Sequence, residues 1–111
     1  MSINRTHVGV ITFFSPDFPF SGENMAELDS EIEQCATSKE NRVVIDLNHV
    51  SFIDSEGLEK LLTYSDLIRR EGGTIKLANP NPLCNEILEI TRMSSYFDIY
   101  FDLEKAARSF L

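Results

Sequence analysis

The run from Arg42 to Leu47 (RVVIDL) constrains the fold more than any other stretch of this sequence. It is short and almost continuously apolar, without the polar alternation of a strand that has one face in water. Such a run is typical of a strand buried on both faces, as in a sheet with helical crossovers. The length of 111 residues suits a single domain, residues 1–111, built around that strand.

Strand and helix signals alternate along the chain before this run. His7 to Phe14 (HVGVITFF) is β-branched and aromatic, which predicts a single strand. Ser15 to Gly22 contains prolines and polar residues and is predicted as a loop. The apolar residues that follow recur at helical spacing and predict an amphipathic helix that ends near Ser38. The phenylalanines in and beside the loop cover the end of the core or, as the less favoured alternative, contact a partner: Phe14, Phe18 and Phe20.

The same alternation continues after the run. A leucine-rich helical pattern from Leu58 to Ile68 is followed by Arg69 and Arg70, which suit the negative end of a helix, and then by two terminating glycines. The remaining predicted elements are a strand at Thr74 to Leu77, a helix capped by Asn81 with Pro82 in its first turn, a strand at Asp98 to Phe101, and a terminal helix capped by Asp102. The predicted order is therefore β-α-β-α-β-α-β-α, which indicates an α/β fold with a mixed or parallel sheet.

The composition restricts the partners and the compartment. With 10 basic and 18 acidic residues, the formal charge is −8. This charge argues against binding to nucleic acid or to anionic membrane surfaces, and a basic groove on another protein suits it better. No signal peptide or long apolar span is visible. Cys35 and Cys84 lie far apart at helical positions, so we expect buried free thiols and a cytoplasmic protein.

Catalytic and metal-binding patterns are scarce in the sequence. His7 and His49 are isolated, which favours structural or surface roles, and neither a G-x-S-x-G motif nor a phosphate-binding glycine loop is present. Asp46, Asp54 and Lys76 resemble parts of a phospho-receiver site, but no convincing acidic pair accompanies them. We therefore expect no metal, no cofactor and no enzymatic activity.

The junction FIDSEGLEKLL remains as the candidate site. A helix N-terminus carries unpaired N–H groups and partial positive charge, and either Asp54 or Ser55 can cap it. Gly57 allows another backbone to approach or relaxes the turn. Glu56 and Glu59 place negative charge in the first turn. Two interpretations remain open: Ser55 belongs to a well-capped helix and nothing more, or it is an accessible phosphoacceptor whose added charge the helix end tolerates.

The chain resembles the STAS-domain anti-sigma factor antagonist (anti-anti-sigma factor) family. The resemblance rests on VVIDLNHVSFIDSEGLEKLL (43–62), REGGTIKLANPNP (70–82) and FDIYFDLEKAARSF (97–110). It covers residues 40 to 111 well and the first 40 residues only by element order. It implies a STAS-like mixed β-sheet with four helices packed mainly on one side.

The same resemblance implies a non-enzymatic bacterial protein that switches partners in transcription control. Its partner would be an anti-sigma factor that is also a serine kinase with a histidine-kinase-like ATPase fold. That kinase would phosphorylate Ser55 and end the binding, and a PP2C-type phosphatase would reset the switch. ATP and magnesium would belong to the kinase, so the chain itself needs no cofactor. The implied partner-binding residues are Ser21, Asp54, Ser55, Glu56, Gly57, Leu58 and Glu59.

The sequence departs from the family pattern at several positions. Glu56 and Glu59 stand where small or hydroxylated residues are usual, and Ser21 stands near a family aspartate that contacts the partner. The short N-terminus predicts an abbreviated first hairpin. These departures keep an alternative open, in which the chain is a constitutive STAS scaffold or a subunit of a signalling complex or lipid-transport ATPase, without a phospho-switch.

Overall fold

Gly9 divides the predicted first strand into two. In the computed structural model, which describes residues 2–111, β1 (Ile3–Val8) pairs antiparallel with β2 (Ile11–Pro16). Gly9 lies between them with φ +59°, a left-handed conformation that reverses the chain and that a β-branched residue would resist. The prediction of one strand from His7 to Phe14 is therefore wrong. Every residue of β1 has a partner in β2; that the hairpin is shorter than is usual in the family stays a prediction.

Across residues 2–111 the sheet has five strands in the order β1-β2-β3-β4-β5. Strands β3 (Arg42–Asp46), β4 (Thr74–Ala78) and β5 (Ile99–Tyr100) run parallel to β2. Only two of the four residues predicted for the last strand are in the sheet. The sheet is mixed, as predicted, because the hairpin adds one antiparallel strand to four parallel ones.

The helices are α1 (Ala26–Ser38), α2 (Ser55–Arg70), α3 (Pro82–Ile90) and α4 (Leu103–Arg108). The side chains of Asn81 and Asp102 cap α3 and α4, as predicted. The first three helices pack on one face of the sheet around the main core, whereas Ala106 of α4 packs on the other face. The prediction of four helices mainly on one side is thus confirmed.

Both faces of β3 are buried, which explains its continuous apolar run. Val43 and Ile45 face the main core, and Val44 faces the smaller cluster under α4. The three phenylalanines of the β2–α1 region are almost completely buried, so they cover the end of the core and are not a partner surface: Phe14, Phe18 and Phe20.

Cys35 and Cys84 are free and buried, as predicted. Burial is the main cause that raises the pKa of the Cys35 thiol to about 11 and also raises the pKa of Cys84. Both thiols are therefore protonated near neutral pH and fill space in the core. Within residues 2–111, none of the helices has the length and apolarity needed to cross a bilayer.

Candidate functional site

Asp54 caps α2 and leaves Ser55 outside the cap. The Asp54 carboxylate accepts a hydrogen bond from the backbone N–H of Gly57 at 2.8 Å, and the Asp54 carbonyl accepts the N–H of Leu58 at 2.9 Å. The backbone of Asp54 is extended, as the cap position requires. Ser55 is then the first helical residue, and its side chain is exposed. The choice between Asp54 and Ser55 as the cap is decided for Asp54.

Substitutions at these neighbouring positions should separate the cap from the exposed hydroxyl. We expect Asp54→Ala to lower the free energy of unfolding by about 1 kcal/mol, because the Gly57 N–H loses its acceptor. Ser55→Ala should change it by less than about 0.5 kcal/mol, as is usual for exposed positions. Urea denaturation of both variants measures the difference. Equal losses would show that Ser55 shares the capping role.

A backbone bridge brings the β2–α1 loop to this helix end. Phe20 and Ile53 form a parallel bridge outside the main strands. The N–H of Phe20 donates to the carbonyl of Phe52 at 2.9 Å, and the N–H of Asp54 donates to the carbonyl of Phe20 at 2.9 Å. The residues around Phe20 therefore lie beside Ser55, although more than 30 positions separate them in sequence.

Gly57 is required by the closeness of this contact. A Cβ atom at position 57 would lie 2.8 Å from the carbonyl carbon and 2.9 Å from the Cβ of Phe20. Real Cβ atoms essentially never approach other atoms so closely, and the obstacle includes backbone that bridge hydrogen bonds hold in place. Of the two roles that the sequence allowed for Gly57, the structure supports close backbone approach.

The Glu56 side chain also extends from α2 to the β2–α1 loop. Its carboxylate packs against Gly22, where a Cβ would lie 2.6 Å from the Glu56 Cδ. Gly22 begins a short 3₁₀ turn that ends at Asn24. Ser21 precedes this turn, and its hydroxyl accepts a hydrogen bond from the Asn24 side chain at 3.1 Å. The structure thus places Ser21 in the segment that faces the N-terminus of α2.

The other predicted site residues differ in exposure. Glu59 is exposed, whereas Leu58 is half-buried and packs against the main core, and Gly57 is buried. Phe52 was missed, although 41% of it is exposed beside Asp54 while its neighbour Ile53 is buried. The sequence signal was an apolar residue in a loop, two positions before the cap. Nothing in the sequence indicated that Gly22 contacts Glu56, because that contact depends on which side chain lies opposite in the fold.

Contacts with α1 fix the orientation of α2. The Tyr64 hydroxyl donates to one oxygen of Asp29 at 2.5 Å, and Lys60 pairs with the other at 2.9 Å. Burial, and secondarily the bond to Asp29, raises the pKa of the Tyr64 hydroxyl far above its usual value, so it remains a donor. These contacts anchor α2 to α1.

The residues that resembled a phospho-receiver site do not form a cluster. Asp46 accepts hydrogen bonds from Ser15 and from the N–H of Asn48, while the Lys76 ammonium donates to Ser109 on the α4 side. Among residues 2–111, no group of three or more side chains is arranged to hold a metal ion.

The α2 junction offers a hydroxyl to which a negatively charged group can be attached. Ser55 offers an exposed hydroxyl beside the N–H groups and partial positive charge of the helix end. Asp54, Glu56 and Glu59 lie within four positions of Ser55 in sequence, and their negative charge opposes the addition of more negative charge there. A group placed on Ser55 would therefore change the local electrostatics strongly without disturbing the core.

Comparison with known proteins finds similarity to STAS domains and to anti-sigma factor antagonists. The family model for the STAS domain matches residues 2–106. BtrV of Bordetella bronchiseptica, a candidate anti-sigma factor antagonist, is 31% identical over 87 residues, which cover 78% of this chain and 75% of BtrV.

Solved structures share the fold at lower identity. A candidate anti-sigma factor antagonist of Thermotoga maritima has a TM-score of 0.89 at 20% identity, covering 96% of this chain and 92% of that one. The phosphorylated form of the Bacillus cell fate determinant SpoIIAA has a TM-score of 0.73 at 14% identity, covering 97% of this chain and 99% of that one.

Proposed function

The chain belongs to the STAS domain family of anti-sigma factor antagonists, and we propose that it is a non-enzymatic binding protein controlled by phosphorylation at Ser55. One observation carries the proposal. Asp54 performs the capping, so the Ser55 hydroxyl is exposed at the positive end of α2 and is available to another protein's active site. The structure of SpoIIAA in a phosphorylated form supports it by analogy, because that protein shares the fold.

The proposed partner is an anti-sigma factor that is also a serine kinase with a histidine-kinase-like ATPase fold. Such a kinase supplies ATP, magnesium and the base, so Ser55 needs no activating neighbour in this chain. A PP2C-type phosphatase would remove the phosphate. The net charge of −8 favours a basic groove on the partner. The free buried thiols suit a reducing compartment, and we place the switch in the cytoplasm.

The proposed binding surface joins the two segments that the Phe20–Ile53 bridge brings together. It consists of the predicted residues and of the exposed Phe52, which lies beside the cap and offers an apolar anchor. A phosphate on Ser55 would sit at the centre of this surface and add about two negative charges beside existing carboxylates. Binding would be lost through the cost of burying this additional charge at the interface. The surface comprises Ser21, Phe52, Asp54, Ser55, Glu56, Gly57, Leu58 and Glu59.

Phosphate mapping tests the proposal directly. We expect the cognate kinase and ATP to add one phosphate per chain, located on Ser55 by mass spectrometry of the intact protein and of its peptides. Ser55→Ala should abolish the modification. Ser51→Ala is the matched control, because Ser51 is also exposed and lies in the same loop, and it should be phosphorylated normally. A stoichiometric phosphate on another residue, retained in Ser55→Ala, would refute the assignment.

A constitutive STAS component is the second candidate function. The identity of residue 56 favours it, since Glu56 directly follows Ser55 and its negative charge disfavours the addition of another. In that case the same surface would dock permanently in a signalling complex or on a lipid-transport ATPase. A complex that forms equally well with wild-type protein and with Ser55→Asp would select this alternative.

A further inference from the structure

Strand β1 forms an unprotected edge of the sheet. It has six residues in an unbroken register with β2, and no other strand among residues 2–111 pairs with its outer side. The opposite edge, β5, has only two residues. Natural sheet edges are usually protected by short length, proline, a bulge, free charges or a covering segment, because an open edge can pair with another chain. β1 contains neither a proline nor a bulge.

The side chains of β1 that can carry charge do not protect this edge, because both are already bound. The Arg5 guanidinium pairs with Glu31 at 3.0 Å and with Glu40 at 2.5 Å. It also lies over the ring of Phe14, its partner in β2. The His7 imidazole lies 2.8 Å from the Glu40 carboxylate. The side chains on the other face of β1 are exposed and uncharged: Asn4, Thr6 and Val8.

The backbone of β1 presents every second residue to the free edge. The hairpin turn has two residues, so the flanking residues Val8 and Ile11 form a hydrogen-bonded pair, and such pairs alternate along the ladder. The far end of the hairpin agrees, because the Asp17 N–H donates to the Ser2 carbonyl at 3.1 Å. Even-numbered residues therefore bond to β2. The N–H and C=O groups of the odd-numbered residues point outward: Ile3, Arg5 and His7.

These outward groups are symmetric about Arg5, so a second copy of the same strand matches them. In an antiparallel pair with its two-fold axis at Arg5, Arg5 lies opposite Arg5 of the second copy, and Ile3 lies opposite His7. All three outward residues then exchange backbone hydrogen bonds with the second copy. On the other face of the sheet, Asn4 lies opposite Thr6, and both have side chains that form hydrogen bonds.

The charges near this edge are also complementary between two copies. Two opposed arginines repel each other, but each is accompanied by the carboxylates of Glu31 and Glu40. The guanidinium has further N–H donors besides the two that bind these carboxylates, and those donors can bind the carboxylates of the second copy. β1 itself contains no acidic residue, although the net charge of the chain is −8. Repulsion between two acidic chains is therefore reduced at this strand.

We propose that β1 pairs with β1 of a second copy, which joins two sheets edge to edge in a two-fold symmetric dimer. Pairing along a single edge buries little surface, so the dimer is weak and forms reversibly. The edge shares no residue with the surface proposed around Ser55. The dimer is therefore independent of the proposed phosphorylation, and it presents two copies of that surface.

Sedimentation velocity over a range of concentrations, combined with amide hydrogen exchange measured by NMR, tests the pairing on the unmodified chain. We expect a reversible equilibrium between monomer and dimer. Exchange should slow with concentration at Ile3, Arg5 and His7, because only these N–H groups of β1 gain a partner. The even-numbered amides should be protected at every concentration by their bonds to β2. A chain that stays monomeric at its highest soluble concentration, or a dimer without slower exchange at the odd-numbered amides, would overturn the proposal.

A lysine substitution tests whether the dimer uses this edge. Thr6→Lys places a charge on the exposed strand, and the two new ammonium groups would be diagonal neighbours across the two-fold axis. We expect the dissociation constant of the dimer to rise about tenfold, since an edge lysine opposes strand pairing. Thr63→Lys makes the same change at an exposed position on α2 and should leave dimerisation unchanged. Equal dissociation constants for the two variants would overturn the proposal.

Discussion

Replacing Gly57 by alanine is expected to lower the free energy of unfolding by about 2–3 kcal/mol, the cost typical of forcing an atom into a packed site. The new methyl group would meet the Phe20 carbonyl, whose oxygen accepts the N–H of Asp54. Neither side can yield cheaply, because the bridge holds Phe20 and the cap holds Gly57. The melting temperature should fall by roughly 10 °C, which calorimetry would measure.

Gly22→Ala is the matched control for this substitution. The same added methyl group would meet the end of the Glu56 side chain, which is exposed and can rotate away. We therefore expect a loss of less than about 1 kcal/mol. If Gly57→Ala were as mild as Gly22→Ala, the close approach of the loop to α2 would not be a constraint on the fold.

Ser55→Asp is expected to weaken binding of the proposed anti-sigma partner by about 100-fold, because burying an additional unpaired charge at an interface costs several kcal/mol. The added carboxylate would stand beside Asp54, Glu56 and Glu59 at the centre of the proposed surface. Its side chain is exposed in the free protein, so the melting temperature should hardly change. Titration calorimetry with the purified partner, identified by capture on Ser55→Ala protein, gives the affinities.

Ser51→Asp controls for the charge itself. It adds the same charge to the same loop, at an exposed position before Phe52. We expect it to weaken binding much less than Ser55→Asp, because it lies outside the proposed surface. If both substitutions had equal effects, net charge would explain the loss without a switch. Unchanged binding by Ser55→Asp would favour the constitutive role.

Gly57 and Ser55 belong to one arrangement, in which the β2–α1 loop lies against the N-terminus of α2. The approach of Phe20 to Gly57 creates a continuous surface from segments distant in sequence, and the capping by Asp54 leaves Ser55 free on that surface. Glu56 spans the gap to Gly22, so a charge on Ser55 would also act on the contact between loop and helix. The family departure at position 56 is therefore part of the geometry of the site and more than a local change of charge.

Much of the architecture followed from local patterns. The apolar run of β3, the spacing of α1 and α2, and the caps at Asn81 and Asp102 each depend on residues close together in sequence. The hairpin was missed because the strand residues on both sides of Gly9 read as one continuous run. Only the left-handed backbone at that glycine shows that the chain reverses.

Residue patterns along the chain were enough to predict the class of fold, the α2 junction as candidate site and the position of Ser55 at the start of a helix. The tertiary structure decided that Asp54 and not Ser55 is the cap, since both side chains suit that role and backbone geometry selects between them. It also decided which atoms a side chain at position 57 or 22 would meet. These facts depend on which atoms lie opposite one another across the fold, and spacing along the chain does not contain that information.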